Sequence, residues 1–153
     1  MFFRTHLVIA LFFVLIFFSY IENPILFLSV VFFATLIPDI DSKFSKVGHY
    51  KIFRIFNFFT KHRGIMHSFS FLVFVSFLIF LSFREILLPF ALAYSLHLLL
   101  DAITIHGISP LYPLKFRIKG KIRTGGIIEN FLFVSLIFFD FLLVFSKIYL
   151  LVK

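Results

Sequence analysis

The sequence predicts an all-α integral membrane protein, on the evidence of its composition, its separate apolar runs and the placement of its basic residues. Of its 153 residues, 61% are hydrophobic and only 14% are charged, and the mean hydropathy is +1.10. An ordinary soluble domain is about 45–50% apolar and about 25% charged. A compact soluble fold of this size could not bury so much apolar surface. The composition therefore excludes disorder, argues against a soluble enzyme, and fits one membrane-embedded domain over residues 1–153.

Apolar runs of membrane-spanning character define the predicted helices. A transmembrane helix needs about 20 predominantly apolar residues, and the second run is short because it ends at Pro38. No small-residue cleavage site follows the first run, so we expect an uncleaved span there and not a signal peptide. The prediction is a bundle of four to five transmembrane helices. The runs cover residues 7–21, 25–37, 69–83, 86–105 and 127–152.

Basic residues predict the orientation in the membrane. In a five-span arrangement, 12 of the 15 Lys and Arg residues fall on one side: at Arg4, in segment 43–63 and in segment 115–123. Basic residues concentrate in cytoplasmic loops. We therefore expect a multi-pass membrane protein with a cytoplasmic N-terminus. The net charge of +8 follows from this topology, and nucleic acid is not an expected partner.

Both basic loops carry a pattern of their own. In segment 51–61, polar side chains recur at steps of three or four residues, which predicts an amphipathic helix lying in the membrane interface. In segment 115–123, basic and apolar residues alternate, which predicts a short basic hairpin turning at Lys119 and Gly120. Orientation and adhesion to anionic lipid, or a direct contact with substrate, remain alternative roles for both loops.

Two pairs of ionisable residues lie at the ends of apolar runs. Asp39 and Asp41 follow the second run, where they could flank a divalent cation or cap a helix. His97 and Asp101 are four residues apart, so a helix would place them on one face. That pair could ligate a metal ion, or it could form a simple His–Asp hydrogen bond inside a bundle. Ionisable groups near spans are functional candidates.

A third group opens the third run. His62 and His67 are five residues apart and would not share a face of a regular helix, but a turn at Gly64 could aim both inward. Arg63 has a fork of donors suited to a phosphate or carboxylate group, although it could equally be an interfacial anchor. Ser68 could contact substrate or cap the following helix.

The Asp and His residues of these three groups, together with His6 and Glu129, are predicted to meet at the cytoplasmic boundary. They are His6, Asp39, Asp41, His62, His67, His97, Asp101 and Glu129. Repulsion among the buried carboxylates would be relieved most simply by bound cations. The chain has no cysteine, so a metal must be held by His and carboxylate groups. Zinc or manganese fits that donor set, as one or two ions.

The same residues resemble a known family, the YdjM-like inner-membrane metal-dependent hydrolases. The resemblance extends over about residues 5–130 and implies an integral membrane protein with metal-dependent hydrolase activity. The matching elements are Thr5-His6, Pro38-Asp39-Ile40-Asp41-Ser42, His62-Arg63-Gly64 with His67-Ser68, His97-Leu98-Leu99-Leu100-Asp101 with Thr104 and Gly107, and Thr124-Gly125 with Glu129.

The sequence therefore predicts a membrane-bound, metal-dependent hydrolase that acts on a phosphoester or lipid head group. Arg63 and Ser68 are expected to bind substrate. His62 and Glu129 are expected to act in catalysis, with Glu129 relaying a proton or orienting a ligand. A metal or proton transporter and a non-catalytic, metal-stabilised scaffold are the alternatives. The expected metal ligands are His6, Asp39, Asp41, His67, His97 and Asp101.

Overall fold

The structure, a computed structural model, is all-α, as predicted. It describes residues 1–41 and 64–152, apart from the side chains of residues 40, 41 and 150–152. Short 3₁₀ turns continue the first two helices and precede the third, at Phe18–Tyr20, Ile37–Asp41 and Ile65–His67. The helices coincide with the apolar runs of the sequence. They are α1 (Phe3–Phe17), α2 (Pro24–Leu36), α3 (Phe69–Ser82), α4 (Arg84–Ala102) and α5 (Ile127–Val152).

Three helical stretches of the described chain are long and apolar enough to cross a membrane. They are Phe3–Tyr20, Arg84–Ala102 and Ile127–Tyr149. Two shorter apolar stretches, Pro24–Asp39 and Phe69–Ser82, contain α2 and α3, and both are shorter than the about 20 residues of a typical span. Large apolar side chains stay exposed on the outside of the bundle, as Phe131 of α5 does at 74%. Such a surface suits contact with lipid and not with water.

Local sequence signals fix where the helices begin. The side chain of Asn23 accepts a hydrogen bond from the Leu26 amide at 3.3 Å, directly before a proline in the first helical position. Ser68 caps α3 in the same way, through the Phe71 amide at 3.2 Å. Only Phe83 separates α3 from α4, and its backbone leaves the helical region (φ −143°, ψ 68°). Short connections of this kind make α1 and α2, and likewise α3 and α4, antiparallel neighbours.

Helix α4 lies at the centre of the bundle. It packs against α1, α2 and α3, whereas α5 packs chiefly against α1. Small residues, Ala10, Ala34 and Ala93, are buried in the core between these helices, and small residues allow helices to approach closely in a membrane. The buried residues of α4 recur on one helix face. They are Pro89, Phe90, Ala93, Tyr94, His97, Leu98 and Asp101.

The polar segment between α4 and α5 folds back against the end of α4. Thr104 forms a parallel bridge with Ile122, and Ile108 forms an antiparallel bridge with Ile118. The chain therefore reverses between residues 108 and 118. The turn predicted at Lys119 and Gly120 is wrong. At that point the chain lies against the end of α4, where the Gly120 amide donates to the Thr104 carbonyl oxygen at 2.9 Å. The interfacial helix predicted over residues 51–61 lies outside the described residues.

A substitution at Gly120 tests this close packing. A Cβ atom on Gly120 would lie 2.0 Å from the carbonyl oxygen of Ile103. We expect Gly120→Ala to lower the free energy of unfolding by about 1–3 kcal/mol, because the segment must move away from α4 to relieve the clash. Thermal unfolding in detergent measures the effect. Lys121→Ala, at the exposed neighbouring position, is the control, and equal melting temperatures for the two variants would contradict the packing.

Candidate metal centre

Helix ends at one end of the bundle bring four separate parts of the chain together. His6 lies in the first turns of α1, Asp39 in the 3₁₀ turn after α2, and His67 directly before α3. His97 and Asp101 belong to the last turns of α4. Because consecutive helices alternate in direction, these five residues meet in one layer. The three imidazoles and Asp101 are at most 2% exposed, whereas the Asp39 side chain is 17% exposed.

Each imidazole of this cluster lies within 4 Å of a carboxylate oxygen. Nε2 of His6 lies 3.4 Å from Oδ1 of Asp101, and Nε2 of His67 lies 3.5 Å from Oδ2 of the same residue. Oδ1 of Asp39 lies 3.8 Å from Nε2 of both His67 and His97. The rings of His6 and His97 stack with centroids 3.9 Å apart. Two carboxylates thus face three imidazoles inside an apolar bundle.

His97 is oriented by the backbone of α2. Its Nδ1 lies 2.9 Å from the carbonyl oxygen of Thr35. A carbonyl oxygen can only accept a hydrogen bond, so Nδ1 carries the proton and Nε2 of the neutral ring presents a lone pair. A metal-binding His is held in this way, with one ring nitrogen donating to a carbonyl group and the other free for the ion.

Two overlapping triads in this cluster could hold a metal ion. The first consists of His6, His97 and Asp101, and the second of Asp39, His67 and His97. Within each triad, one ligand atom from every residue lies within 4.8 Å of the others. His97 belongs to both triads, and its Nε2 is therefore the atom on which the binding of an ion depends most.

The donor set and its spacing fit a divalent cation. Two ligand atoms bound to one tetrahedral zinc ion at about 2.0–2.1 Å lie roughly 3.4 Å apart, close to the 3.4–3.8 Å between the nitrogen and carboxylate atoms. Nδ1 of His6 and Nε2 of His97 are buried and make no hydrogen bond to any described residue. Leaving such polar atoms unsatisfied is costly, and a cation would satisfy at least the Nε2 lone pair of His97.

Glu129 lies beside the cluster and joins α5 to α1. Its Oε1 accepts hydrogen bonds from the Phe2 amide at 2.6 Å and the Thr5 hydroxyl at 2.8 Å, and its Oε2 accepts one from the Gly125 amide at 2.7 Å. The side chain is fully buried. Glu129 thereby fixes the first turn of α1, which is the turn that carries His6.

The other predicted residues divide between described and undescribed parts of the chain. Ser68 is buried and caps α3, and its hydroxyl donates to the Ile65 carbonyl oxygen at 2.6 Å. His62, Arg63 and the side chain of Asp41 lie outside the described residues, so their roles stay predictions.

The sequence interpretation missed two contacts to the cluster. One is the Thr35 carbonyl oxygen on His97, and the other is the amino nitrogen of Met1, which contacts Oδ1 of Asp101. The first contact uses a backbone carbonyl oxygen, which every residue has, so the sequence carries no signal for it. The one signal that the sequence offers for Thr35 is its position as a polar residue in an apolar helix.

The fold and the site together define a helical membrane protein with a buried His/Asp cluster able to hold a metal ion. Comparison with known proteins identifies the family. The match to the family described as YdjM inner membrane protein covers residues 1–152, so the chain belongs to this family. No curated protein matches the chain. No solved structure matches it either.

Replacing His97 tests the shared position in both triads. Loss of a residue that only hydrogen-bonds a metal ligand reduces metal affinity roughly 10–100-fold. We expect His97→Ala to reduce the affinity for zinc by more than this, because both triads lose a ligand. Elemental analysis of protein purified in detergent measures the bound metal. His106→Ala, an exposed His outside the triads, is the matched control. Unchanged metal content in His97→Ala would refute this assignment.

Replacing Thr5 tests the contact of α1 with Glu129. We expect Thr5→Val to lower the free energy of unfolding by about 1–3 kcal/mol, because a buried carboxylate loses one of its donors. Thr124→Val is the matched control, since the Thr124 hydroxyl is buried without a hydrogen bond to any described residue. Denaturant unfolding in detergent compares the two variants. An equal effect of both substitutions would show that the Thr5 hydroxyl bond contributes nothing.

Proposed function

We propose that the protein is a membrane-embedded, metal-dependent hydrolase that acts at the cytoplasmic membrane face on a phosphoester or lipid head group. The observation that carries this proposal is the buried cluster in which His97 belongs to two potential ligand triads. Ionisable groups are rare and costly within apolar bundles, so a group of five favours a functional site over accidental placement.

The proposed ligands are neutral imidazole nitrogens and carboxylate oxygens, which suit zinc or manganese. When bound, one or two such ions supply Lewis acidity that activates water and polarises a phosphoryl group. Asp39 and Asp101 contribute the negative charge that holds the cation, and the Thr35 carbonyl oxygen keeps His97 in its metal-binding tautomer. Asp41 remains a further proposed ligand.

Substrate is proposed to approach at Asp39, because this is the cluster member with the most exposed side chain. A site at the helix ends would meet a lipid head group at the membrane surface without drawing the lipid into the bundle. Arg63 is proposed to bind the anionic group, with Ser68 as a further substrate contact. His62 is proposed to transfer a proton.

Glu129 is proposed to position a ligand rather than to transfer a proton. Both of its oxygens already accept hydrogen bonds from Phe2, Thr5 and Gly125. A carboxylate engaged in this way is poorly placed to accept a proton from water. Its effect on catalysis would pass through the first turn of α1, and so through His6.

The proposal is tested by a hydrolysis screen of the purified protein with zinc or manganese, using phospholipids and soluble phosphoesters. We expect turnover in the wild type and a loss of at least about 100-fold in Asp101→Asn, which keeps the side-chain size but removes the charge needed to hold the ion. His106→Ala should retain activity. Metal-loaded wild type that hydrolyses none of these compounds faster than Asp101→Asn would overturn the proposal.

A metal or proton transporter is the second candidate, and Asp140 favours it. This residue lies eleven positions after Glu129 on α5, about 16 Å further along the helix. It is 6% exposed, and neither carboxylate oxygen has a hydrogen-bond partner among the described residues. Polar groups through the bilayer interior are typical of transport pathways. Liposome flux of divalent ions or protons, lost in both Asp140→Asn and His97→Ala, would support transport over hydrolysis.

A further inference from the structure

The segment that connects α4 to α5 carries a concentrated positive charge. Residues 103–126 include five basic side chains and no Asp or Glu. All five basic side chains are exposed, and no carboxylate of the described chain forms an ion pair with them. Their charge is therefore available to an anionic partner. The five residues are Lys115, Arg117, Lys119, Lys121 and Arg123.

Exposed apolar side chains lie between and beside these basic residues. Leu114 is 63% exposed and Phe116 is 59% exposed. Leu111, Tyr112 and Ile118 are exposed as well. A mixture of exposed basic and large apolar groups is typical of surfaces that lie in the head-group region of a membrane. Residues 111–123 are named the basic platform below.

Backbone hydrogen bonds fix the basic platform against the end of the bundle. Ile108 and Ile118 exchange two backbone hydrogen bonds of 2.9 and 3.0 Å, and the Ile122 amide donates to the Ile103 carbonyl oxygen at 3.1 Å. Gly107 has a positive φ of 61°, and a Cβ atom there would lie 2.0 Å from the Ile118 carbonyl oxygen. Such close contacts fix the platform at the end of the bundle that contains the His/Asp cluster.

We propose that the basic platform is a binding surface for anionic phospholipids. Its basic side chains contact lipid phosphate groups, and its exposed apolar side chains enter the upper acyl-chain region. Chain continuity places the platform at the membrane surface, because it connects two helices long and apolar enough to span, which end at Ala102 and begin at Ile127. This inference does not depend on hydrolysis or on a bound metal.

Lipid is favoured over nucleic acid by the apolar side chains. Phosphates of either partner would attract the basic residues. Exposed aliphatic side chains such as Leu111, Leu114 and Ile118 cannot stack on nucleic-acid bases, because such stacking requires aromatic rings or Arg. In a membrane, the same groups bury their apolar area among acyl chains.

The absence of Trp from the chain permits a single fluorescent reporter in the platform. Phe116→Trp is reconstituted in nanodiscs of phosphatidylcholine that contain an increasing fraction of phosphatidylglycerol, with brominated acyl chains on one lipid at a time. We expect stronger quenching by brominated phosphatidylglycerol than by an equal fraction of brominated phosphatidylcholine. Phe77→Trp, on the exposed surface of α3, is the control reporter and should be quenched equally by both lipids.

Matched charge variants, each combined with the Phe116→Trp reporter, test the role of the basic side chains. Arg117→Gln with Lys119→Gln removes one Arg and one Lys from the platform. Arg84→Gln with Lys147→Gln removes the same charges from the opposite end of the bundle. We expect the first pair to weaken the apparent affinity for phosphatidylglycerol about 30-fold, or ~fivefold per charge, and the second pair to leave it unchanged.

Several results would overturn the inference. They are equal quenching of the Phe116→Trp reporter by both lipids, equal effects of the two charge variants, or a change in reporter emission with duplex DNA or RNA but not with phosphatidylglycerol. If the platform variant fails to fold, the salt dependence of the reporter protein decides. Raised salt should weaken the preference for phosphatidylglycerol through screening, and an unchanged preference would refute the role of charge.

Discussion

Asp101 is buried among apolar helices and Asp39 is largely so, and the charge of both carboxylates has to be compensated there. Moving a charge out of water is costly unless a partner of opposite charge or strong hydrogen bonds compensate. Asp101 is 1% exposed and Asp39 lies beside it, facing three imidazoles that are neutral in their metal-binding form. A bound cation would offset the charge of both carboxylates and satisfy imidazole nitrogens at once. It would also connect α1 and α4 to the turn that follows α2.

The architecture determines where this cluster forms, at the helix ends. Alternating helix directions bring residues far apart in sequence to one end of the bundle, and α4, at the centre, supplies two of the five groups. Backbone carbonyl and amide groups orient the site: Thr35 fixes His97, and Glu129 fixes the first turn of α1 through Phe2 and Thr5. Positioning by rigid helix ends favours a fixed site at the membrane surface, next to the basic segment that joins α4 to α5.

Much of the fold was predictable because a long apolar run in lipid can satisfy all its backbone hydrogen bonds within itself as an α-helix. The five apolar runs form the five helices, of which α2 and α3 belong to shorter apolar stretches. The convergence of His6, Asp39, His67, His97 and Asp101 was predicted from their common position at one membrane boundary, and the structure brings these five together. The turn in the basic segment was misplaced, because its position depends on the close packing of Gly107 and Gly120, which alternation in the sequence does not reveal. The contact of the Thr35 carbonyl oxygen with His97 was unpredictable because every residue has a backbone carbonyl group.

X-ray absorption spectroscopy of the zinc-loaded, full-length protein in detergent tests whether the His/Asp cluster is the metal centre. We expect an edge and fine structure with imidazole multiple scattering from at least two His residues, together with oxygen ligands, at zinc–ligand distances of about 2.0–2.2 Å. Zinc bound only by oxygen atoms, with no imidazole contribution, would show that the ion sits elsewhere. That result would contradict the assignment of the buried His/Asp cluster as the metal centre.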